Sequence, residues 1–183
     1  SQANSLAAAL SELGLGAGDR VAVNLPNGVE WIISVLAAAK LGAVVVPISP
    51  QLSSLDLRYQ LRHAEASAVV TIERWGGVDY LQRFEDLLGD LPDLQYVVTV
   101  GDEDLWYDDR IFQFEDLVSS GAGRAVPPRP EPDDSQDLAV VYTSGTMGKP
   151  KGVQLSHHAV VENAIRTAEV LELSPDDRVL AAV

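Results

Sequence analysis

Apolar residues follow two patterns that take turns along the chain. Short, nearly continuous apolar runs rich in β-branched residues occur at Val21-Ala22-Val23-Asn24-Leu25, Val44-Val45-Val46, Ala68 to Ile72, Tyr96 to Val100 and Leu138-Ala139-Val140-Val141. Runs of that length and composition predict strands buried on both faces. Between them the apolar spacing is helical: about Ser5 to Leu13, Val29 to Leu41, from a Ser53 or Ser54 cap to about Glu65, Tyr80 to Leu88, and a short piece near Phe112 to Val118. Gly14 and Gly16 end the first helix, Gly42 stops the second, and Pro26-Asn27 and Pro47 close two strands. The Val29–Leu41 segment is apolar almost all round, which predicts burial on every side.

Strands that alternate with helices predict an α/β fold, a mostly parallel sheet with helices on both faces. Three stretches are expected within it. Residues 1–123 hold the strand–helix units, residues 124–136 form an extended linker, and residues 137–183 carry a strand, a loop and a following helix. The linker reading rests on Pro127, Pro128, Pro130 and Pro132 with Asp133 and Asp134. Gly101 to Asp109 is acidic and reads as a solvated loop whose Trp106 and Tyr107 should still pack. Trp31 to Ile48 is long and apolar, but Lys40 interrupts it, Gly42 stops a helix and Pro47 ends a strand. It therefore predicts a helix and a buried strand, with no membrane span.

Composition narrows the function. A net charge of −14 over 183 residues argues against nucleic acid, whose phosphates are met by basic surfaces. The absence of cysteine removes disulfides and thiolate metal sites and suits a cytoplasmic setting. The three histidines offer little for a metal centre; His157 and His158 would point about 100° apart on a helix and cannot share one ion. No secretory leader opens the sequence. Without an initiating methionine, and with an apolar strand as its last residues, the sequence is expected to be a piece of a longer protein.

One stretch carries chemistry: Tyr142-Thr143-Ser144-Gly145-Thr146-Met147-Gly148-Lys149-Pro150-Lys151-Gly152. Gly145, Gly148 and Gly152 let backbone N–H groups turn inward around an anion. Thr143, Ser144 and Thr146 add hydroxyl donors, and Lys149 and Lys151 add positive charge. Two of the chain's three lysines fall in this loop, a local concentration of cations in an acidic molecule. Such a loop suits a polyphosphate. On composition alone, a surface turn rich in Gly, Pro and Lys is the stronger reading; the order of the residues is what favours the phosphate loop.

A P-loop is excluded by spacing. That motif needs G-x-x-x-x-G-K-[ST] opening onto a helix. Here the position five before Gly148 is Thr143, and Pro150 follows Lys149. Val153-Gln154-Leu155 then reads as a strand before Ser156 can cap a helix at His157. The expected frame is strand–loop–strand.

Read in order, Y-T-S-G-T-M-G-K-P-K-G-V resembles the glycine-rich phosphate loop of the adenylate-forming superfamily: acyl-CoA synthetases, luciferases and peptide-synthetase adenylation domains. Met147 departs from the family's usual Thr and removes one hydroxyl. Leu36 to Pro50, L-A-A-A-K-L-G-A-V-V-V-P-I-S-P, resembles the helix-to-strand core of the same enzymes, in a form closer to acyl-CoA synthetases. The similarity spans the sequence and corresponds to the first part of the large N-terminal domain.

The resemblance implies ATP phosphate binding by Thr143, Ser144, Gly145, Thr146, Met147, Gly148 and Lys151, with Lys151 on a terminal phosphate and Lys149 directed elsewhere. It implies an ATP-dependent acid–thiol ligase that uses Mg2+, coenzyme A and a small carboxylic acid. The family's adenine, ribose and acyl contacts and its C-terminal catalytic lysine would lie past Val183, so no catalytic set is complete here and residues 1–183 alone are expected to be inactive. The alternatives are a non-catalytic nucleotide-binding or assembly module, or an adenylation domain feeding a carrier protein.

Overall fold

A computed structural model describes residues 1–102, 108–127, 135–143 and 149–178. Trp106 and Tyr107, most of the linker prolines, Ser144 to Gly148 and the strand expected at 179–183 lie outside the described residues.

The strands β1 (Arg20–Val23), β2 (Val44–Pro47), β3 (Ala68–Ile72), β6 (Tyr96–Val100), β7 (Ile111–Gln113), β8 (Asp137–Thr143) and β9 (Lys151–Ser156) form one sheet, in the order β7-β6-β3-β1-β2-β8-β9. Two short strands, β4 (Arg74–Trp75) and β5 (Val78–Asp79), pair separately. Every neighbour in the large sheet is parallel except β8 and β9. The chain thus lays down β1 and β2, builds β3, β6 and β7 outward on the other side, and returns to place β8 beside β2.

Side chains alternate across the sheet, as a strand's period of two requires. Val21, Val23, Val45, Val70 and Val98 face helices α1 (Gln2–Glu12), α2 (Val29–Leu41) and α5 (Phe114–Ser120), where Leu6, Leu10, Ala37 and Phe114 complete one buried layer. Ala22, Val46, Val69 and Val97 face α3 (Ser54–His63) and α4 (Tyr80–Leu88), which supply Leu57, Leu61, Leu81 and Phe84. The mostly parallel sheet covered on both faces is the expected architecture.

Helix ends obey their local chemistry. Gly42 closes α2 in the left-handed region at φ 74°, where a side chain would be strained. Ser53 caps α3 by accepting from Asp56 N, and Ser156 caps α6 (His157–Val170) by accepting from Ala159 N at 3.2 Å.

Three expectations need correction. The residues near Phe112 are not all helical: Ile111 to Gln113 pair with β6, and the helix begins at Phe114. Helix α2 is not buried all round, because only one side rests on the sheet and α1; Val29, Ile32 and Leu36 are exposed. Of Leu138 to Val141 only Ala139 is buried, since β8 lies beside the edge strand β9 rather than mid-sheet. The apolar stretch from Trp31 divides into α2 and β2, and among the described residues no helix is long and apolar enough to cross a membrane.

Candidate functional site

Strand β8 runs parallel to β2, so its last residue, Thr143, arrives at the carboxyl end of the parallel sheet. In open α/β sheets that end is where ligands collect. The chain then returns as β9, antiparallel to β8, with Thr143 directly opposite Lys151 and Tyr142 opposite Gly152. Residues facing one another across a ladder share a face of the sheet. Thr143 and Lys151 are both exposed and stand together at the mouth of the hairpin. Among the described residues Lys151 has no carboxylate within ion-pair distance.

Of the seven predicted phosphate ligands, Thr143 and Lys151 are therefore placed together. Ser144, Gly145, Thr146, Met147 and Gly148 lie outside the described residues. After the loop the chain is strand from Lys151 to Ser156, and α6 begins only at His157. Among the described residues no helix N-terminus opens directly onto the loop, in keeping with the spacing argument against a P-loop.

Both flanks of the loop meet α3. On the near side the Tyr142 hydroxyl donates to the Gln60 carbonyl at 3.3 Å and lies 2.8 Å from His63 Nδ1. On the far side the Tyr59 hydroxyl donates to the Pro150 carbonyl at 3.1 Å, and Lys149 Nζ sits 5.3 Å from the centre of the Tyr59 ring. The last contact is a cation–π arrangement. It shows where Lys149 is directed: onto α3, away from Lys151. Tyr59 and His63 are four apart on the helix, with ring centres 5.5 Å apart, and the His63 ring meets Tyr142 edge-on at 5.7 Å. Burial pushes the Tyr142 hydroxyl up to about 12, with Tyr59 adding to the rise and Arg20 opposing it.

A cavity of about 820 Å³ opens between α3 and the Lys149–Pro150 segment, walled by Leu55, Tyr59, His63 and Pro150 and bordered by Arg58, Arg62, Lys149 and the carboxylate of Asp56. Arg58 is paired with Asp90 at 2.7 Å. With Asp56 in the rim and Arg58 paired, Arg62 and Lys149 leave it only modestly less acidic than a chain of net charge −14. Another cavity, of about 670 Å³, lies across the sheet beside β7; Glu85, Asp108 and Arg110 line it, and the Arg110 guanidinium holds the Asp108 carboxyl below the usual range. It is remote from the loop and poorly suited to an anion. No three His, Asp or Glu side chains gather as a cation site among the described residues.

Tyr59, Gln60 and His63 were not legible as site residues. His63 lies 79 positions before Tyr142, and Tyr59 lies 91 before Pro150. Their only mark in the sequence is the four-residue spacing of two rings on a helix whose opposite side is Leu57 and Leu61.

The family model for "AMP-binding enzyme" matches residues 1–183. The chain belongs to the AMP-binding enzyme family. Among curated relatives, this AMP-binding chain is 30% identical over 176 residues to the salicyl-AMP ligase / salicyl-S-ArCP synthetase of Mycobacterium tuberculosis, covering 96% of itself and 30% of that protein. It is 32% identical over 179 residues to the acetyl-coenzyme A synthetase of Mycolicibacterium smegmatis, covering 93% of itself and 19% of that enzyme. Its fold superposes on the acetoacetyl-CoA synthetase from Streptomyces lividans with a TM-score of 0.82 at 29% identity, over 96% of this chain and 28% of that one. The chain spans about a third or less of the relatives it matches.

Proposed function

We propose that the protein containing this chain is an ATP-dependent acid–thiol ligase, and that the hairpin loop from Thr143 to Lys151 holds the β- and γ-phosphates of Mg·ATP. The observation that supports the reading is the pairing of Thr143 with Lys151 at the carboxyl end of the parallel sheet, so that a hydroxyl-bearing and an ammonium-bearing residue flank the glycine-rich stretch on opposite strands. Family membership and relatives named as acetyl-CoA synthetase and salicyl-AMP ligase support it.

The reaction has two halves. A substrate carboxylate oxygen attacks the α-phosphorus of Mg·ATP; the bond to the bridging oxygen breaks, giving an acyl-adenylate and pyrophosphate. The sulfur of coenzyme A then attacks the acyl carbonyl, its proton passes to solvent, and AMP leaves. The loop's part is electrostatic: it neutralises charge on the departing pyrophosphate and holds the α-phosphorus in line with the nucleophile.

A second reading of the acceptor has one observation in its favour. One relative is named for a salicyl thioester on ArCP rather than on coenzyme A, so a carrier-protein thiol can take the place of coenzyme A. Both readings share the first half-reaction. Carboxylate-dependent exchange of labelled pyrophosphate into ATP by the intact protein tests it; its absence across short, long and aromatic acids would favour a non-catalytic nucleotide-binding module. Thioester formation with coenzyme A or with a carrier protein then decides the acceptor.

A further inference from the structure

Helix α3 makes more contacts with the loop's flanks than its packing requires. Leu57 and Leu61 already fix it on the sheet, and neither tyrosine hydroxyl belongs to the helix's own hydrogen bonding. One hydroxyl runs from α3 to a residue that bounds the loop, Tyr59 to Pro150 O, and the other runs from a bounding residue back to α3, Tyr142 to Gln60 O. The Tyr142 hydroxyl sits between two polar groups of α3, 3.3 Å from Gln60 O and 2.8 Å from His63 Nδ1. Tyr59 Oη reaches Pro150 O, and the Tyr59 ring lies under Lys149. Residues 142 and 150 are thus tied to one rigid helix turn, independently of the β8–β9 ladder.

We propose that Tyr59, Gln60 and His63 are positioning residues: through Tyr142 and Pro150 they hold both ends of the phosphate loop in a fixed frame, so that little of ATP's binding energy is spent on ordering it. The inference rests on the phosphate-binding reading of residues 143–151. Its physical basis is preorganisation. A segment whose ends are already fixed loses less conformational freedom when an anion settles into it.

Three variants of the intact protein test this: Tyr59→Phe, Tyr142→Phe and the double substitution. Each retains the ring and its packing. Tyr96→Phe serves as comparison, because its hydroxyl also donates to a carbonyl, Leu13 O at 2.9 Å, but on the opposite side of the sheet. Two quantities are read: amide hydrogen exchange across residues 143–151, and KM for ATP against kcat in the pyrophosphate assay.

Either single change is expected to speed amide exchange in that segment. It should also raise KM for ATP about 2- to 10-fold, the range of one hydrogen bond, while kcat changes by less than about twofold. The double variant should show less than the product of the single effects, because freeing one end already frees the loop. Tyr96→Phe should do neither. Unchanged amide exchange or unchanged KM in the folded single variants, with Lys151→Ala still abolishing activity, would overturn the positioning role alone. Retained activity in Lys151→Ala would overturn the phosphate reading itself, whatever the tyrosine variants do. Should Tyr142→Phe fail to fold, Tyr59→Phe carries the same comparison from the other flank of the loop.

Discussion

Gly152 stands directly across the β8–β9 ladder from Tyr142, and the side chain it lacks would have occupied space already taken by its neighbours. A Cβ at residue 152 would lie 2.8 Å from Val140 Cγ1 and 3.5 Å from Tyr142 Cζ. Its φ is not in the left-handed region, so backbone freedom is not the reason for a glycine here. The clash would be with the stiff Val140 side chain, while the Tyr142 ring would be met at an ordinary contact distance.

Gly152→Ala should therefore destabilise the protein by about 1–3 kcal/mol, the usual cost of overpacking. It should also raise KM for ATP, because relief of the Val140 clash shifts the β8–β9 pair that carries Tyr142 and Lys151. Urea unfolding together with pyrophosphate kinetics checks both. An unchanged midpoint and unchanged KM would show that the hairpin relaxes freely around the added methyl.

The Tyr142 hydroxyl gives a pH test. Its folded value is raised to about 12 from an ordinary 10, chiefly by burial. A raised value means that the contribution to stability is complete below pH 10 and is lost as pH climbs through about 12. After burial, the charges that bear on it are Tyr59 on α3, which raises it, and Arg20 on β1, which lowers it. The difference between ultraviolet tyrosinate titrations of the native protein and its Tyr142→Phe variant should show one group titrating late. A difference curve centred near 10 would contradict the buried, hydrogen-bonded placement.

Phe84 tests the α3–α4 side of the sheet. It is fully buried among Leu57, Leu61, Leu81 and the strands. Phe84→Ala should cost about 3–5 kcal/mol, read as a lower urea midpoint at unchanged slope. A loss under about 1 kcal/mol would mean that α4 is not seated as described.

Much of this fold was legible because a doubly covered strand and an amphipathic helix each write their period into the sequence. Ala68 to Ile72 and Tyr80 to Leu88 match their predicted bounds. Ser156 was readable as a cap because a helix start leaves N–H groups that a hydroxyl can take. Elements that owe their form to partners were harder to read. Ile111 to Gln113 is a three-residue strand that exists because β6 offers an open edge. The β4–β5 turn is made by Gly76 and Gly77, both at positive φ, around strands too short to show any alternation. The exposed row Val29, Ile32 and Leu36 misled in the other direction, since apolar composition does not say how many sides of a helix are covered. At the site, the glycines, hydroxyls and lysines were visible as one contiguous motif. Tyr59 and His63 were not, because only the fold brings α3 against the two flanks of that motif.

The most direct measurement is carboxylate-dependent exchange of labelled pyrophosphate into ATP by the intact protein and its Lys151→Ala variant, with folding of both confirmed. If the ammonium beside Thr143 meets the terminal phosphates, the variant should lose on the order of 10²-fold in activity, as when one preorganised charge-stabilising donor is removed. Full exchange in a folded Lys151→Ala protein would contradict the assignment of this hairpin to ATP.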